Sequence, residues 1–124
     1  MLDRYRHLAP VPLRLALGAV FVLHGLPKLL QTPTYAELFA RFGLPAPAFM
    51  AFLVGLIEVA GGLLVVTGYC LRMASVLLAA VMLGAIVLVK FSKGFINGWE
   101  FDMVLLAAAL SLALSAPAGE AREG

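Results

Sequence analysis

The sequence is poor in cysteine and in charge, and both shortages narrow what the chain can be. Cys70 is the only cysteine among 124 residues, so no internal disulfide, C-x-x-C redox pair or four-cysteine metal site can form. Charged residues make up 13% of the chain, whereas a soluble domain has about a quarter. The net charge of +2 comes from nine scattered Lys and Arg residues. They form no basic stripe, which argues against a nucleic-acid-binding protein.

Long apolar segments dominate what is present. Hydrophobic residues make up 63% of the chain, and the mean hydropathy is +1.02. About 20 helical residues, each rising ~1.5 Å, cross the ~30 Å hydrocarbon core of a bilayer. The sequence therefore predicts one domain over residues 1–124, an all-α membrane protein with a four-transmembrane-helix bundle. The predicted spans lie at about residues 11–30, 48–69, 71–89 and 100–116.

The segments around the spans set the expected topology. Pro27 lacks an amide hydrogen and predicts a kink or an end in the first span. The proline-rich connector at 31–47 contains a predicted interfacial helix at 35–42. Almost no connector separates the second and third spans, which predicts a tight antiparallel hairpin. Four spans place both termini on one side of the membrane.

The basic residues predict that this side is the cytoplasm, because cytoplasmic loops carry an excess of Lys and Arg. Five basic residues lie on the side of the termini and four on the other: Arg4, Arg6, Arg14, Arg72 and Arg122 against Lys28, Arg41, Lys90 and Lys93. We therefore expect a multi-pass protein with cytoplasmic termini.

Several ionisable residues fall inside the predicted spans, where each costs about 2.5–3.5 kcal/mol on insertion scales. At ~100° per residue, Arg14, His24 and Lys28 of the first span share one helix face with two glycines. Small residues let helices approach closely, so this face is predicted to point toward other helices. Glu58 of the second span lies on a similar glycine-flanked face.

Depth in the membrane predicts which cation meets Glu58. At ~1.5 Å per residue, Arg14 lies ~5 Å, His24 ~20 Å and Lys28 ~26 Å from the inner edge, while Glu58 lies ~15 Å from the outer edge. His24 is therefore the first choice of partner and Arg14 the second. Arg14, His24, Lys28 and Glu58 are expected to line one cavity that opens sideways to the membrane.

Glu58 and His24 are the candidate catalytic residues, although purely structural roles stay open for both. Glu58 suits either a structural ion pair or a proton-handling group beside a small-molecule site, because acids inside membranes are enriched at functional sites. His24 suits a hydrogen bond to a quinone carbonyl, a packing role, or a haem or metal ligand. The other histidine, His7, lies in the polar N-terminal segment, so no metal site is predicted.

Further polar residues complete the candidate substrate-binding set. Arg72 either binds substrate or extends to lipid head groups. Asn97, followed by glycine, suits a turn, and Glu100 suits a partner for Lys90 or Lys28. The set consists of Arg14, Lys28, Glu58, Arg72, Lys90, Asn97 and Glu100.

The sequence resembles the DoxX family in three ordered motifs, which are R-x-A-L-G-x-x-F-x-x-H-G-x-x-K at 14–28, G-x-x-E-x-x-G-G at 55–62 and K-G-F-x-N-G-x-E at 93–100. The resemblance runs from about Leu13 to Ala116. It implies that the positions matching the family pattern contribute to function. They are Arg14, His24, Gly25, Lys28, Glu58, Gly61, Gly62, Arg72, Gly94, Asn97, Gly98 and Glu100. Many relatives have a histidine where this chain has Lys90, and that departure weakens any haem or metal assignment.

Family members are similar to the small membrane subunit of thiosulfate:quinone oxidoreductase. The resemblance implies a quinone-reactive or redox-associated subunit of the inner (plasma) membrane, with quinone as its small molecule. No cofactor-binding motif is present, which favours a subunit that receives electrons from a redox partner over a self-sufficient enzyme. The alternative is a non-enzymatic membrane scaffold or a carrier of a small hydrophobic solute. Expected partners are the lipid bilayer, a redox subunit or further copies of the chain, and not nucleic acid.

Overall fold

The computed structural model describes residues 2–90, 94, 96 and 100–115, and within these ranges it contains helices and no strand. Its α-helices are α1 (Pro10–Leu30), α2 (Thr32–Arg41), α3 (Pro47–Thr67), α4 (Leu71–Ala85) and α5 (Glu100–Ser115). A 3-10 helix over Leu2–Leu8 precedes α1, and a π-helical segment over Ile86–Lys90 extends α4. The all-α prediction is confirmed for the described part of the chain.

Three helical stretches of the described chain are long and apolar enough to cross a membrane. They are Arg4–Leu30, Pro47–Thr67 and Leu71–Leu88. They cover the first three predicted spans: the first begins seven residues earlier than predicted, and the other ends differ by at most two residues. Helix α5 has 16 residues, which gives a length of about 24 Å against a hydrocarbon core of ~30 Å. The fourth span therefore stays a prediction.

Proline helps to set where the helices begin. Helices α1, α2 and α3 each have proline in the first turn, where the backbone amides have no acceptor within the helix and the missing hydrogen costs nothing. Pro27 lies inside α1, which continues to Leu30. Of the two predicted alternatives, an end of the helix at Pro27 is wrong, and a kink there stays a prediction. The predicted interfacial helix is α2, and it begins three residues earlier than expected.

Short connections bend the chain at two places. Only Gln31 separates α1 from α2, and the Thr32 hydroxyl donates a hydrogen bond to the carbonyl oxygen of Lys28 at 2.8 Å. Between α3 and α4, Gly68 has a φ of +86°, and its amide donates to the Leu64 carbonyl oxygen at 2.8 Å. This left-handed glycine is a common helix end, and it confirms the predicted tight hairpin.

Reciprocal glycine contacts pack α1 against α3. A Cβ atom on Gly18 would lie 2.7 Å from the carbonyl oxygen of Gly62, and one on Gly25 would lie 2.8 Å from that of Gly55. Real Cβ atoms do not approach so closely, so the two backbones touch at both points. The close approach fixes how far α1 is shifted along α3, and this register determines which side chains meet in the site.

The buried core joins α1, α3, α4 and α5. Phe21, Val65, Leu78 and Leu112 are each at most 2% exposed, and they belong to one apolar cluster. Helix α2 has no buried residue and packs mainly on α3. Many large apolar side chains on the outer faces are exposed, as expected where lipid is the solvent.

Candidate functional site

A cavity of about 550 Å³ lies among the helices, and all five α-helices contribute to its wall. Its polar lining side chains are His24, Lys28, Tyr35, Glu58 and Asp102, while the other lining residues are apolar or glycine. A mostly apolar cavity of this size with a few convergent polar groups is typical of a small-molecule site.

Lys28 and Glu58 form an ion pair at the centre of this polar group. Lys28 Nζ lies 3.0 Å from Glu58 Oε1, and the two side chains are 16% and 3% exposed. The ammonium also donates to the backbone carbonyl oxygen of His24 at 3.2 Å and lies 5.4 Å from the centre of the Tyr35 ring. Lys28 therefore links α1 to both α2 and α3.

The prediction that Glu58 faces the bundle beside a basic residue of α1 is confirmed, but the expected partner is wrong. Neither His24 nor Arg14 pairs with Glu58; Lys28 does. Depth was not the cause, because an added Cβ on Gly25 would lie 2.7 Å from Glu58 Cβ, which places Glu58 one residue from the level of His24. Direction decides instead: His24 is exposed and faces Phe101 of α5. Lys28 Cβ would lie 2.8 Å from a Cβ added to Gly55, so the lysine packs at the α1–α3 contact and its long side chain reaches the carboxylate.

His24 and Asp102 lie on the side of the cavity where α5 contributes. His24 is exposed, and its ring centre is 5.8 Å from that of Phe101. A residue that both lines the cavity and is exposed lies at its mouth. Asp102 is only 4% exposed. The sequence analysis gives Asp102 no role, although an acid at the start of an otherwise apolar helix is an available signal.

Arg14 does not line the cavity. Its Nε donates to the carbonyl oxygen of Val65 at 3.0 Å, and its Nη2 donates to that of Val66 at 3.1 Å. These carbonyls belong to the last turn of α3, where backbone acceptors lack helical partners and the helix dipole is negative. The expectation that Arg14 joins His24, Lys28 and Glu58 in one cavity is therefore wrong, and the side chain caps α3 instead.

The remaining predicted binding residues are not brought into this cavity by the described structure. Arg72 is exposed near the start of α4, and Glu100 is half-buried at the start of α5; neither is a lining residue. The side chain of Lys90 and all of Asn97 lie outside the described residues. Their predicted roles are not tested.

The cavity offers acid–base and hydrogen-bonding groups in an apolar surrounding. Lys28 is a donor, while Glu58 and Asp102 are acceptors when ionised and donors when protonated. The imidazole of His24 can do either. Within the described residues, no three His, Cys, Asp or Glu side chains are placed to hold a metal ion.

The fold and cavity define a helical membrane protein whose helices surround a mostly apolar cavity. The DoxX family model matches residues 9–91, and the chain belongs to this family. It is 39% identical over 103 residues to the "Putative oxidoreductase CatD" of Bacillus subtilis (strain 168), covering 83% of this chain and 75% of that protein. It is 40% identical over 79 residues to an uncharacterized membrane protein of Mycobacterium tuberculosis, covering 63% of this chain and 48% of that protein. No solved structure matches the chain significantly.

Proposed function

We propose that the chain is a quinone-reactive membrane subunit of an oxidoreductase and that the cavity is its quinone site. The observation that carries this proposal is the Lys28–Glu58 pair facing a mostly apolar cavity. An apolar molecule dissolved in the bilayer matches the walls, and its carbonyl groups match the polar end. The name of the Bacillus relative supports an oxidoreductase.

The polar residues have separate roles in this proposal. Lys28 donates a hydrogen bond to one carbonyl oxygen of the quinone, and His24 at the mouth donates to the other. Reduction of a quinone to a quinol takes up two electrons and two protons. Glu58, a carboxylate in its pair with Lys28, and His24 each first take up a proton from water and then pass it to a quinone oxygen, while a redox partner subunit delivers the two electrons. Asp102 is a second carboxylic acid that lines the same cavity.

The setting of the subunit follows from the same proposal. The chain lies in the inner (plasma) membrane as a four-span bundle, with α5 contributing to the fourth span and both termini in the cytoplasm. The cavity then lies mainly in the outer half of the membrane, because its lining residues on α1 begin at Val20 and those on α3 end at Glu58, near the middle of each helix. A phosphatase fused after Gly124 that is active in the periplasm would contradict this orientation.

Titration of the purified full chain in nanodiscs with a water-soluble benzoquinone tests the proposal. We expect saturable binding. His24→Ala should weaken it by about 1–3 kcal/mol, the usual cost of leaving a buried polar group without its partner. Glu58→Gln keeps the size of the side chain but cannot exchange a proton. It should therefore abolish quinone-linked turnover by the assembled complex while leaving assembly intact.

The matched control is Glu37→Gln, which makes the same change on an exposed carboxylate of α2 that does not line the cavity. It should leave binding and turnover unchanged. Absence of saturable quinone binding, with or without the redox partner, would contradict the proposal. Loss of assembly in both cavity variants, without any quinone binding, would favour a scaffold.

A further inference from the structure

Gly84 of α4 differs from the other glycines that the structure describes. Five glycines of α1 and α3 have a neighbouring atom at 3.0 Å or less from the position of an added Cβ. Three others, Gly43, Gly68 and Gly94, have a positive φ that favours glycine. An added Cβ on Gly84 would meet nothing within 4 Å, and the φ of Gly84 is not in the positive range that favours glycine. Glycine destabilises a helix interior relative to alanine, so neither packing nor backbone conformation accounts for its presence.

Gly84 lies on the face of α4 that lines the cavity. Leu77, Ala80 and Leu88 share this face and also line the cavity, and they are spaced three to four residues apart, as one helix face requires. Leu77 is nevertheless 44% exposed and Leu88 57% exposed. Side chains that line a cavity and are exposed at the same time form an edge, so the cavity opens sideways along α4.

The opening is long and apolar. From Leu77 to Leu88 the face of α4 and its π-helical extension is about 16 Å long at ~1.5 Å per residue. The lining residues of α3, apart from Glu58, are Met50, Leu53, Val54 and Ile57, all apolar. Lys28 and Glu58 form its polar group. The cavity is therefore a trough with a polar group and apolar walls that lead toward lipid.

We propose that the ligand of this cavity carries a linear apolar tail, which leads from the Lys28–Glu58 pair along α4, passes over Gly84 and continues into the bilayer. The inference rests on the proposed quinone site and specifies the substrate class as a tailed quinone. Gly84 is then a specificity-determining residue, because the absent side chain leaves space for the tail. Methylene groups that leave water for this trough contribute to affinity in proportion to the area buried.

A second copy of the chain on this face of α4 would also account for a glycine at position 84. Ala80 and Gly84 are four residues apart, a spacing of small residues that also permits close contact with a second helix. A second copy of the chain on this face would cover the opening. The number of chains per particle in the Gly84 variants distinguishes this occupant from a ligand tail.

Binding of two benzoquinones with the same ring, one with a decyl tail and one without a tail, tests the inference on the full chain in nanodiscs. The wild type should bind both, and the tailed compound more tightly. Gly84→Leu should fold, because an added Cβ meets nothing within 4 Å and the side chain extends into the cavity or toward lipid. It should raise the Kd of the tailed compound at least about tenfold, the effect of roughly two methylene groups, and leave that of the tail-less compound unchanged. Gly84→Ala should give a smaller change in the same direction.

The matched control is Ala107→Leu, which adds bulk at an exposed position of α5 that does not line the cavity; it should change neither Kd. Equal weakening of both compounds by Gly84→Leu, or no weakening of either, would overturn the tail path while leaving the quinone site in place. Failure of the wild type to bind either compound would overturn the quinone site and the tail path together. A change in the number of chains per particle on Gly84→Leu would assign the glycine to a contact between copies and overturn the inference.

Discussion

Arg14 and Lys28 lie near opposite ends of α1, and their side chains bind different kinds of partner. Arg14 donates to two backbone carbonyl oxygens at the end of α3, whereas Lys28 pairs with a buried carboxylate that lines a cavity. Arginine has a rigid fork of donors that suits two acceptors at once, and lysine has a compact charge on a flexible stem. One end of the α1–α3 interface is therefore closed by backbone hydrogen bonds, and the other presents its charges to a cavity.

The two ends teach that a charge inside a membrane protein is not by itself evidence of a ligand site. Both cations share a helix face and both accompany glycines. Their partners differ. Arg14 donates to backbone carbonyl oxygens at a helix end, which need a donor in any folded state. The Lys28–Glu58 pair instead lines a cavity that another molecule can enter. The predictions below separate the two ends, beginning with the change that should disturb both.

Gly25→Val should have the largest effect. Its Cβ would lie 2.7 Å from that of Glu58 and 2.8 Å from the Gly55 carbonyl oxygen, so α1 and α3 must separate. We expect a loss of about 4–5 kcal/mol or complete failure to fold, measured by circular dichroism during unfolding in SDS. Gly84→Ala, where the new atom meets open space, is the control. A stable Gly25→Val variant would show that the glycine contact does not fix the register.

Lys28→Met should lower the free energy of unfolding by about 3 kcal/mol, because removing one partner leaves Glu58 as a buried group without its ion pair. The double variant Lys28→Met, Glu58→Gln should recover part of this loss. The same SDS unfolding measurement on both single variants and the double variant gives the coupling energy, expected at about 1–3 kcal/mol. Simple addition of the two single losses would indicate that the pair contributes nothing.

Arg14→Met should have the smallest of the three effects, a loss of about 1–3 kcal/mol, because carbonyl oxygens at the end of α3 lose their donors. Quinone affinity should not change, since Arg14 does not line the cavity. Arg14→Lys should recover only part of the stability, because lysine cannot present the same fork. Weaker quinone binding at unchanged stability would instead return Arg14 to the ligand site.

Much of the fold could be predicted from hydropathy and periodicity. The spans expected at 11–30, 48–69 and 71–89 correspond to α1, α3, and α4 with its π-helical extension. The glycine-flanked face of Glu58 was correctly expected to point toward the bundle. These features follow from one helix at a time, because the apolar pattern and the period of 3.6 residues are local properties.

The partner of Glu58 could not be predicted from depth, because His24 and Lys28 both lie within one helical turn of its level. Direction decides between them: Lys28 packs beside Gly55 at the α1–α3 contact, whereas His24 is exposed and faces Phe101 of α5. Periodicity within one helix does not show which neighbouring helix a side chain faces. The role of Arg14 was hidden for a second reason: its acceptors are the backbone carbonyls of Val65 and Val66, which any sequence would supply. Asp102 was missed because its burial depends on how α5 packs against the other helices, which the sequence pattern of α5 alone does not show.

The glycine contacts between α1 and α3 also limit how the protein can move. Each helix contributes two glycines seven residues apart, and each backbone fits against the other at both levels. A tightly packed interface has discrete arrangements and does not deform continuously. Gradual sliding of α1 along α3 is therefore not available as a motion that carries a signal across the membrane. The pair behaves as a fixed frame, and any rearrangement that accompanies entry of a ligand must occur in α2, α4 or α5.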